Sequence, residues 1–467
     1  MRRISWLWIG CVAFASAAHA QELSPELRRQ VDAAVQQVVK ATGVPSASVG
    51  IVVNGKIAMT AAYGVAKLTP PVPATPAMAY PVGSISKQFT ASCILLLQQD
   101  GKLSLDDHVS RWFPELTEAD QVTLRELMSH TSGYEDYAPQ DYTIPAWMQP
   151  IDPHTLIETW ARKPLDFPPG TQWQYSNTNF ELTALIVEKA SGMKYIDFLR
   201  SRVLGPAGLT GVLDLDTQRS QLQVQGYERR ALAPLRPAVL EAPGWYFGDG
   251  SLAMPVSELL KWDITIMNRS LLSPASYDAF ETDTKLKDGK PTGYGLGIDV
   301  RKRNGHLMLE HSGEVGGYVA ENVVFPDDKI AIAVLTNQEA SSAASQVARA
   351  IIPLLMAPAG KPEAPEIKAA EDQVKTILNG LVQGKIDRSL FTADGNFYFS
   401  QETLDDFSSS LSPLGTVTSV KLVEDALRGG MSDRGFTATF SGGATVRVST
   451  YTMPDGKLEQ LLVEGKD

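Results

Sequence analysis

Ser84-Ile85-Ser86-Lys87-Gln88-Phe89-Thr90-Ala91-Ser92-Cys93-Ile94-Leu95-Leu96-Leu97 sets a hydroxyl and an amine three residues apart at the head of a run that is apolar nearly all round. Positions i and i+3 share one face of a helix, so the Ser84 hydroxyl and the Lys87 amine lie within reach of each other. A helix with no polar face is a buried one, and a lysine at its head needs a reason. Serine is a poor nucleophile near neutral pH until a base stands beside it. Lysine can be that base, or assist one, where desolvation or a neighbouring cation lowers its pKa. The predicted helix runs from about Ser84 to Gln99, and free N–H groups at its start could face a developing oxyanion. The plain alternative is an N-cap serine, and spacing alone does not separate the two. Ser191-Gly192-Met193-Lys194 repeats the pattern, and a chain of this composition holds about one or two such tetrads by chance. Ser191, however, stands beside a Gly192 helix stop, where a lysine complements the helix dipole.

Working outward, Tyr175-Ser176-Asn177 is the single Y-x-N in a chain of 14 tyrosines. It follows Phe167-Pro168-Pro169-Gly170 and precedes a predicted helix from Asn177 to Gly192. A phenol beside cations can serve as a base well below its ordinary pKa near 10; a half-buried tyrosine with a capping asparagine is the bland reading. His311-Ser312-Gly313 ends a predicted strand, where Gly313 would let substrate approach closely. G-x-S-x-G and H-E-x-x-H are both absent, which removes the usual nucleophile elbow and zinc-helix readings.

Taken together and in this order, S-x-x-K, Y-x-N and H-x-G resemble the penicillin-recognising serine hydrolases of the class C β-lactamase branch. That branch includes D-alanyl-D-alanine carboxypeptidases, D-aminopeptidases and esterases. Glu126 to Gly133 (ELMSHTSG), Phe167 to Asn177 (FPPGTQWQYSN) and Tyr294-Gly295-Leu296-Gly297 agree with it, over about Ser24 to Met356. The resemblance implies an α/β sandwich of the β-lactamase/transpeptidase type with an all-helical lobe. Ser84 would be the nucleophile, with Lys87 and Tyr175 sharing its proton. Asn177 would position the acyl chain, and the backbone N–H groups of Ser84 and Glu314 would form the oxyanion hole, beside His311 and Gly313. No cofactor or metal is implied; the partner is a small-molecule or peptide substrate.

One departure matters. Class C β-lactamases usually carry K-T-G where this chain has His311-Ser312-Gly313, and H-x-G is more like the carboxypeptidase and peptidase members. A histidine is mostly neutral at about pH 7.5 and mostly charged at about pH 5.5, so carboxylate-bearing substrates should gain as pH falls. The reading is an exported serine hydrolase working through an acyl-enzyme on a D-amino-acid peptide, amide or ester. A class C-like β-lactamase is the alternative, and a non-turning-over penicillin-binding or ligand-binding sensor is the alternative of another class. Tyr134, Tyr137, Tyr142, Trp147, Trp245 and Tyr246 are either a cleft wall or local packing, and His130 reads as structural.

Composition bounds the rest. The 467 residues are 43% hydrophobic and 20% charged, an ordinary globular mix. Lys+Arg of 42 against Asp+Glu of 53 gives −11, which argues against nucleic acid and anionic membrane as partners. Arg2 and Arg3, the apolar stretch Ile4 to Ala17 and Ala18-His19-Ala20 form a signal peptide cleaved after Ala20, implying a periplasmic or secreted protein with no membrane span in the mature chain. Cys93 is then the sole cysteine, so no internal disulfide can form.

Ser24-Pro25 opens a helix stopped by Gly43, and two strands joined by Asn54-Gly55 follow, the strongest short hairpin signal. Three strands and a helix near Ala340 to Met356 close a domain spanning 21–357, whose first and last strands should share a sheet. Residues 358–365 are Pro-rich and read as a linker. Residues 366–467 show two helices, then three strand-like runs and a possible fourth, a small α+β accessory domain. Oligomeric state is not legible.

Overall fold

The computed structural model describes residues 22–303, 306–356, 367–428 and 431–466. The expected signal peptide at 1–20 and the expected linker at 358–365 lie outside the described residues. Helix α1 (Pro25–Thr42) starts as its sequence requires. The Ser24 side chain accepts from Leu27 N–H, Pro25 takes the first position, and Gly43 closes it in the left-handed conformation at φ 70°. Strands β1 (Ser46–Val53) and β2 (Lys56–Lys67) follow, with Asn54 and Gly55 both at positive φ (54° and 71°), as a two-residue hairpin turn needs. A short β3 (Val72–Pro73) pairs beyond β2.

The apolar run becomes α2 (Ser86–Gln99), and α3 (Asn177–Ser191) and α4 (Val256–Asn268) come later in the chain. The chain then returns to the sheet as β4 (Asp299–Arg303), β5 (His306–Val315), β6 (Tyr318–Phe325) and β7 (Ile330–Thr336), before α5 (Ala343–Leu355). The seven strands lie in the order β3-β2-β1-β7-β6-β5-β4, with every pairing antiparallel. The first long strand therefore sits beside the last, so both ends of this part of the chain close one sheet.

Two cores follow from that sheet. On one face Ala47, Val49 and Ile51 of β1 pack with Val31 and Val35 of α1 and with Val347 and Ile351 of α5. On the other, Phe89, Ile94 and Leu95 of α2 join Phe180 of α3 and Leu260 and Trp262 of α4 in the larger core. Strand β1 is buried over nearly its whole length because both faces are covered.

The C-terminal part has its own core. Helices α6 (Ile367–Val382), α7 (Ala393–Tyr398) and α8 (Gln401–Leu411) precede β8 (Val417–Arg428), β9 (Met431–Phe440), β10 (Thr445–Thr452) and β11 (Leu458–Lys466), an antiparallel four-stranded meander. Leu378, Phe407, Phe436 and Val448 form its centre. The possible fourth strand is real, and the helix-then-sheet order is as read.

Two local expectations need correction. Ser84 does not open the α-helix; it sits in a 3-10 turn, Gly83–Ile85, that leads into α2. Gly83, at φ 50°, bends the chain there, where an L side chain would be strained. His311 does not end its strand either. Strand β5 continues to Val315 through its pairing with β6, while β4 stops pairing at Glu310.

Candidate active site

The turn carrying Ser84 is pressed against β5. A Cβ at Gly313 would lie 1.9 Å from the Val82 carbonyl oxygen and 2.9 Å from the Ser84 nitrogen. A Cβ at Gly83 would lie 2.6 Å from the Glu314 nitrogen. Only glycine at both positions lets the backbone of 313–314 touch the serine turn. The Glu314 side chain points elsewhere, its Oε1 accepting from Ala340 N–H at 2.6 Å.

Lys87 is fully buried, one turn after Ser84. Its Nζ donates to Ser84 Oγ at 2.9 Å, to Asn177 Oδ1 at 2.7 Å and to the Asp249 carbonyl at 3.3 Å. The Asp249 carboxylate stands 3.8 Å from the same nitrogen, and the Tyr175 ring centroid 4.8 Å from it. The sequence elements on α2 and at the start of α3 thus converge on one amine. The decoy tetrad does not: Ser191 lies at the half-exposed end of α3, and among the described residues its hydroxyl bonds only with Met193 in its own turn.

Asn177 is held from behind by Asp136, whose Oδ1 accepts from Asn177 N–H at 2.9 Å and whose Oδ2 accepts from its Nδ2 at 3.3 Å. Asp249 is held by Tyr137, whose hydroxyl donates to Oδ2 at 3.0 Å. Burial pushes both Asp136 and Asp249 up to about 6, against the opposing pull of the Lys87 charge. Burial also drives Glu181, whose Oε1 accepts from Gly248 N–H at 3.0 Å, well above the ordinary carboxyl range. The charge beside Lys87 at neutral pH is therefore that of Asp136 and Asp249.

His130 stacks on Tyr175 at 4.2 Å between centroids, and its Nδ1 accepts from Ser176 N–H at 3.1 Å. Burial, then the Lys87 charge, holds it well below its usual pKa, so it is a neutral wedge behind the Tyr175 ring. His311 is buried as well. Its Nδ1–H donates to the Ser312 carbonyl at 2.5 Å, and in the neutral ring Nε2 then accepts from the Tyr294 hydroxyl at 2.8 Å.

Ser84 opens into a cleft that Asn177, Tyr142, Trp147 and Tyr246 also line. Asp141, Glu241, Asp249 and Glu339 bring carboxyl residues to it, Glu314 lines it with its side chain turned to Ala340, and among the described residues no lysine, arginine or histidine lines it. Three of the loop aromatics are thus cleft wall, while Tyr134 and Tyr137 are buried behind it. Sequence reasoning missed Asp136, Asp249, Glu241 and Glu339, isolated carboxyls in no motif. Among the described residues no cluster of three His, Cys, Asp or Glu is arranged to hold a metal ion, and no helix is long and apolar enough to cross a membrane.

A family profile described as Beta-lactamase matches residues 31–355. This chain belongs to the beta-lactamase family. Penicillin-binding protein 4* of Bacillus subtilis is 30% identical to it over 308 residues, 61% of this chain and 66% of that protein. A D-aminopeptidase of Gluconobacter oxydans is 26% identical over 420 residues, 86% of this chain and 76% of that one. Matches to curated relatives therefore span between about two thirds and three quarters of the length of these two. The octameric penicillin-binding protein homologue from Pyrococcus abyssi superposes with a TM-score of 0.62 at 22% identity, over 94% of this chain and 99% of that one. The likeness in fold thus extends past residue 355, where the beta-lactamase family match ends.

Proposed function

We propose that this beta-lactamase-family chain is a serine hydrolase that forms an acyl-enzyme at Ser84 and acts on amides or esters bearing a free amine, D-amino-acid amides and peptides foremost. The observation that carries the chemistry is the buried Lys87 amine, 2.9 Å from Ser84 Oγ and fixed by Asn177 and Asp249. Oγ attacks the substrate carbonyl carbon, its proton passing to Lys87 as the neutral amine, or to Tyr175 as a phenolate beside the charged Lys87. The carbonyl oxygen becomes an oxyanion opposite the Ser84 and Glu314 N–H groups. Collapse expels the leaving amine or alcohol, which takes the proton, and water then repeats the sequence to release the acid. Asn177, braced by Asp136, holds the Lys87 end of this relay and faces the acyl chain.

The acidic wall supports the substrate class. Asp141 and Asp249, with no cationic side chain among the lining residues, favour an ammonium and repel a carboxylate, while burial holds Glu339 well above the ordinary carboxyl range and so keeps it from adding charge. Penicillins and D-Ala-D-Ala peptides carry a carboxylate, and no basic side chain among the lining residues pairs with one. The Gluconobacter relative's name, D-aminopeptidase, points to the same chemistry. The stretch Arg2 to Ala20 supports export of the mature chain.

A hydrolysis panel tests the reading. D-alanine p-nitroanilide should be turned over at least about tenfold faster, in kcat/KM, than its N-acetyl derivative, because one buried charge pair is worth that much. A chromogenic cephalosporin and a D-Ala-D-Ala peptide should be poor substrates. Preference for the cephalosporin over every amine-bearing compound would overturn the substrate class.

A further inference from the structure

We propose that the C-terminal domain fixes one wall of the Ser84 cleft, with Gln460 as the positioning residue that sets where the Asp141 carboxylate meets substrate. The inference rests on the hydrolase reading above and extends it to a part of the chain that the beta-lactamase family match does not cover.

Residues 131–144 carry no helix or strand, yet they supply Asp141 and Tyr142 to the cavity that holds Ser84. A wall of that kind needs outside support, and both residues take it from the C-terminal domain. Asp141 N–H donates to Gln460 Oε1 at 2.9 Å, and Gln460 Nε2 donates back to Asp141 Oδ2 at 3.2 Å. One amide thus grips both the main chain and the side chain of a residue 319 positions away. Gln460, on β11, is 3% exposed, so water cannot replace those bonds without opening the interface. Next door, the Tyr142 hydroxyl donates to the Asp394 carbonyl, and its ring lies 4.9 Å from that of Tyr398; both partners are on α7.

The domain is also docked elsewhere. Arg236 bonds Asp406 at 2.9 Å and Arg349 bonds Glu424 at 2.6 Å. Loss of the Gln460 amide therefore frees the Asp141 wall without releasing the domain, and the effect should appear in substrate binding rather than in the chemistry at Ser84.

The test compares wild type, Gln460→Ala, Asp141→Asn and the double variant on D-alanine p-nitroanilide and on p-nitrophenyl acetate, which is too small and uncharged to use the wall. Gln460→Ala should raise KM for the anilide about fivefold, the equivalent of one hydrogen bond. Its kcat should stay within about twofold, and both constants for the acetate should be unchanged. Asp141→Asn should raise the anilide KM at least as much, and the double variant no further. An unmoved KM in Gln460→Ala, an equal loss on both substrates, or additive effects in the double variant would each overturn the clamp. If Asp141→Asn alone raises KM, the amine reading stands and the clamp falls; if hydrolysis survives Ser84→Ala, the hydrolase reading falls and takes the clamp with it.

Discussion

At the scale of single residues, the site is an amine made useful by its neighbours. Lys87 is buried with three hydrogen-bond acceptors and a carboxylate around it, so its charge is balanced where bulk water is absent. A positioned general base contributes about 10²–10⁴ in rate. Tyr175→Phe should therefore lower kcat at least about a hundredfold with the fold intact, and Lys87→Ala at least as much, because it also removes the charge beside the phenol. Near-full activity in Tyr175→Phe, in steady-state assays, would leave Lys87 as sole base. Asp249 adds a pH signature. Burial lifts it to about 6, so it is ionised above that pH and takes a proton below it. Attraction for a cationic substrate is then present at neutral pH and lost as pH falls through about 6. The kcat/KM ratio of D-alanine p-nitroanilide to its N-acetyl derivative should drop at least about threefold from pH 7.5 to pH 5; the shared leaving group cancels the titration of the base. A flat ratio would show that these carboxyls do not read substrate charge. His311, bonded to Tyr294 and to the Ser312 carbonyl, is not among the residues that line the cavity. Ser84, Lys87 and Tyr175 were legible because spacing and order carry them. Asp136, Asp249 and Glu241 were not, since a lone carboxyl acquires its meaning only from what buries it.

At the scale of elements, the serine turn and strand β5 form one unit. The sequence signalled a helix start at Ser84, and the 3-10 turn replaces it because Gly83 bends the chain to meet Gly313 and Glu314. The i, i+3 relation survives that change, which is why the motif was readable even though the helix boundary was not. Nothing in His311-Ser312-Gly313 announced that the strand runs on to Val315, since its continuation depends on pairing with β6. Gly313→Ala tests the unit directly. The added methyl would sit 1.9 Å from the Val82 carbonyl oxygen, a backbone atom that cannot swing aside. The serine turn must shift, and a displacement of about 1 Å costs on the order of a hundredfold in rate. We expect kcat to fall by about that factor while far-UV circular dichroism stays native. Wild-type kcat in this variant would mean that the two backbones need not touch for catalysis.

At the scale of the whole molecule, one sheet closes both ends of the first domain and a second domain leans on the cleft it frames. The hairpin at Asn54-Gly55, the pairing of first and last strands and the C-terminal helix-then-sheet order were all legible, because each follows from local periodicity and turn chemistry. The docking of β11 and α7 onto residues 141–142 was not, since contacts across 319 positions leave no periodic trace. The acidic cleft is likewise a property of the assembled molecule: Asp141, Glu241 and Glu339 are spread over most of the first domain and meet only in the fold. Every part of the account depends on Ser84 as the nucleophile. Intact-protein mass spectrometry after exposure to a fluorophosphonate, followed by peptide mapping, measures that dependence. We predict a single adduct on the peptide carrying Ser84 in the wild-type protein and in Ser191→Ala, and none in Ser84→Ala. Undiminished labelling of the Ser84→Ala protein would contradict the account.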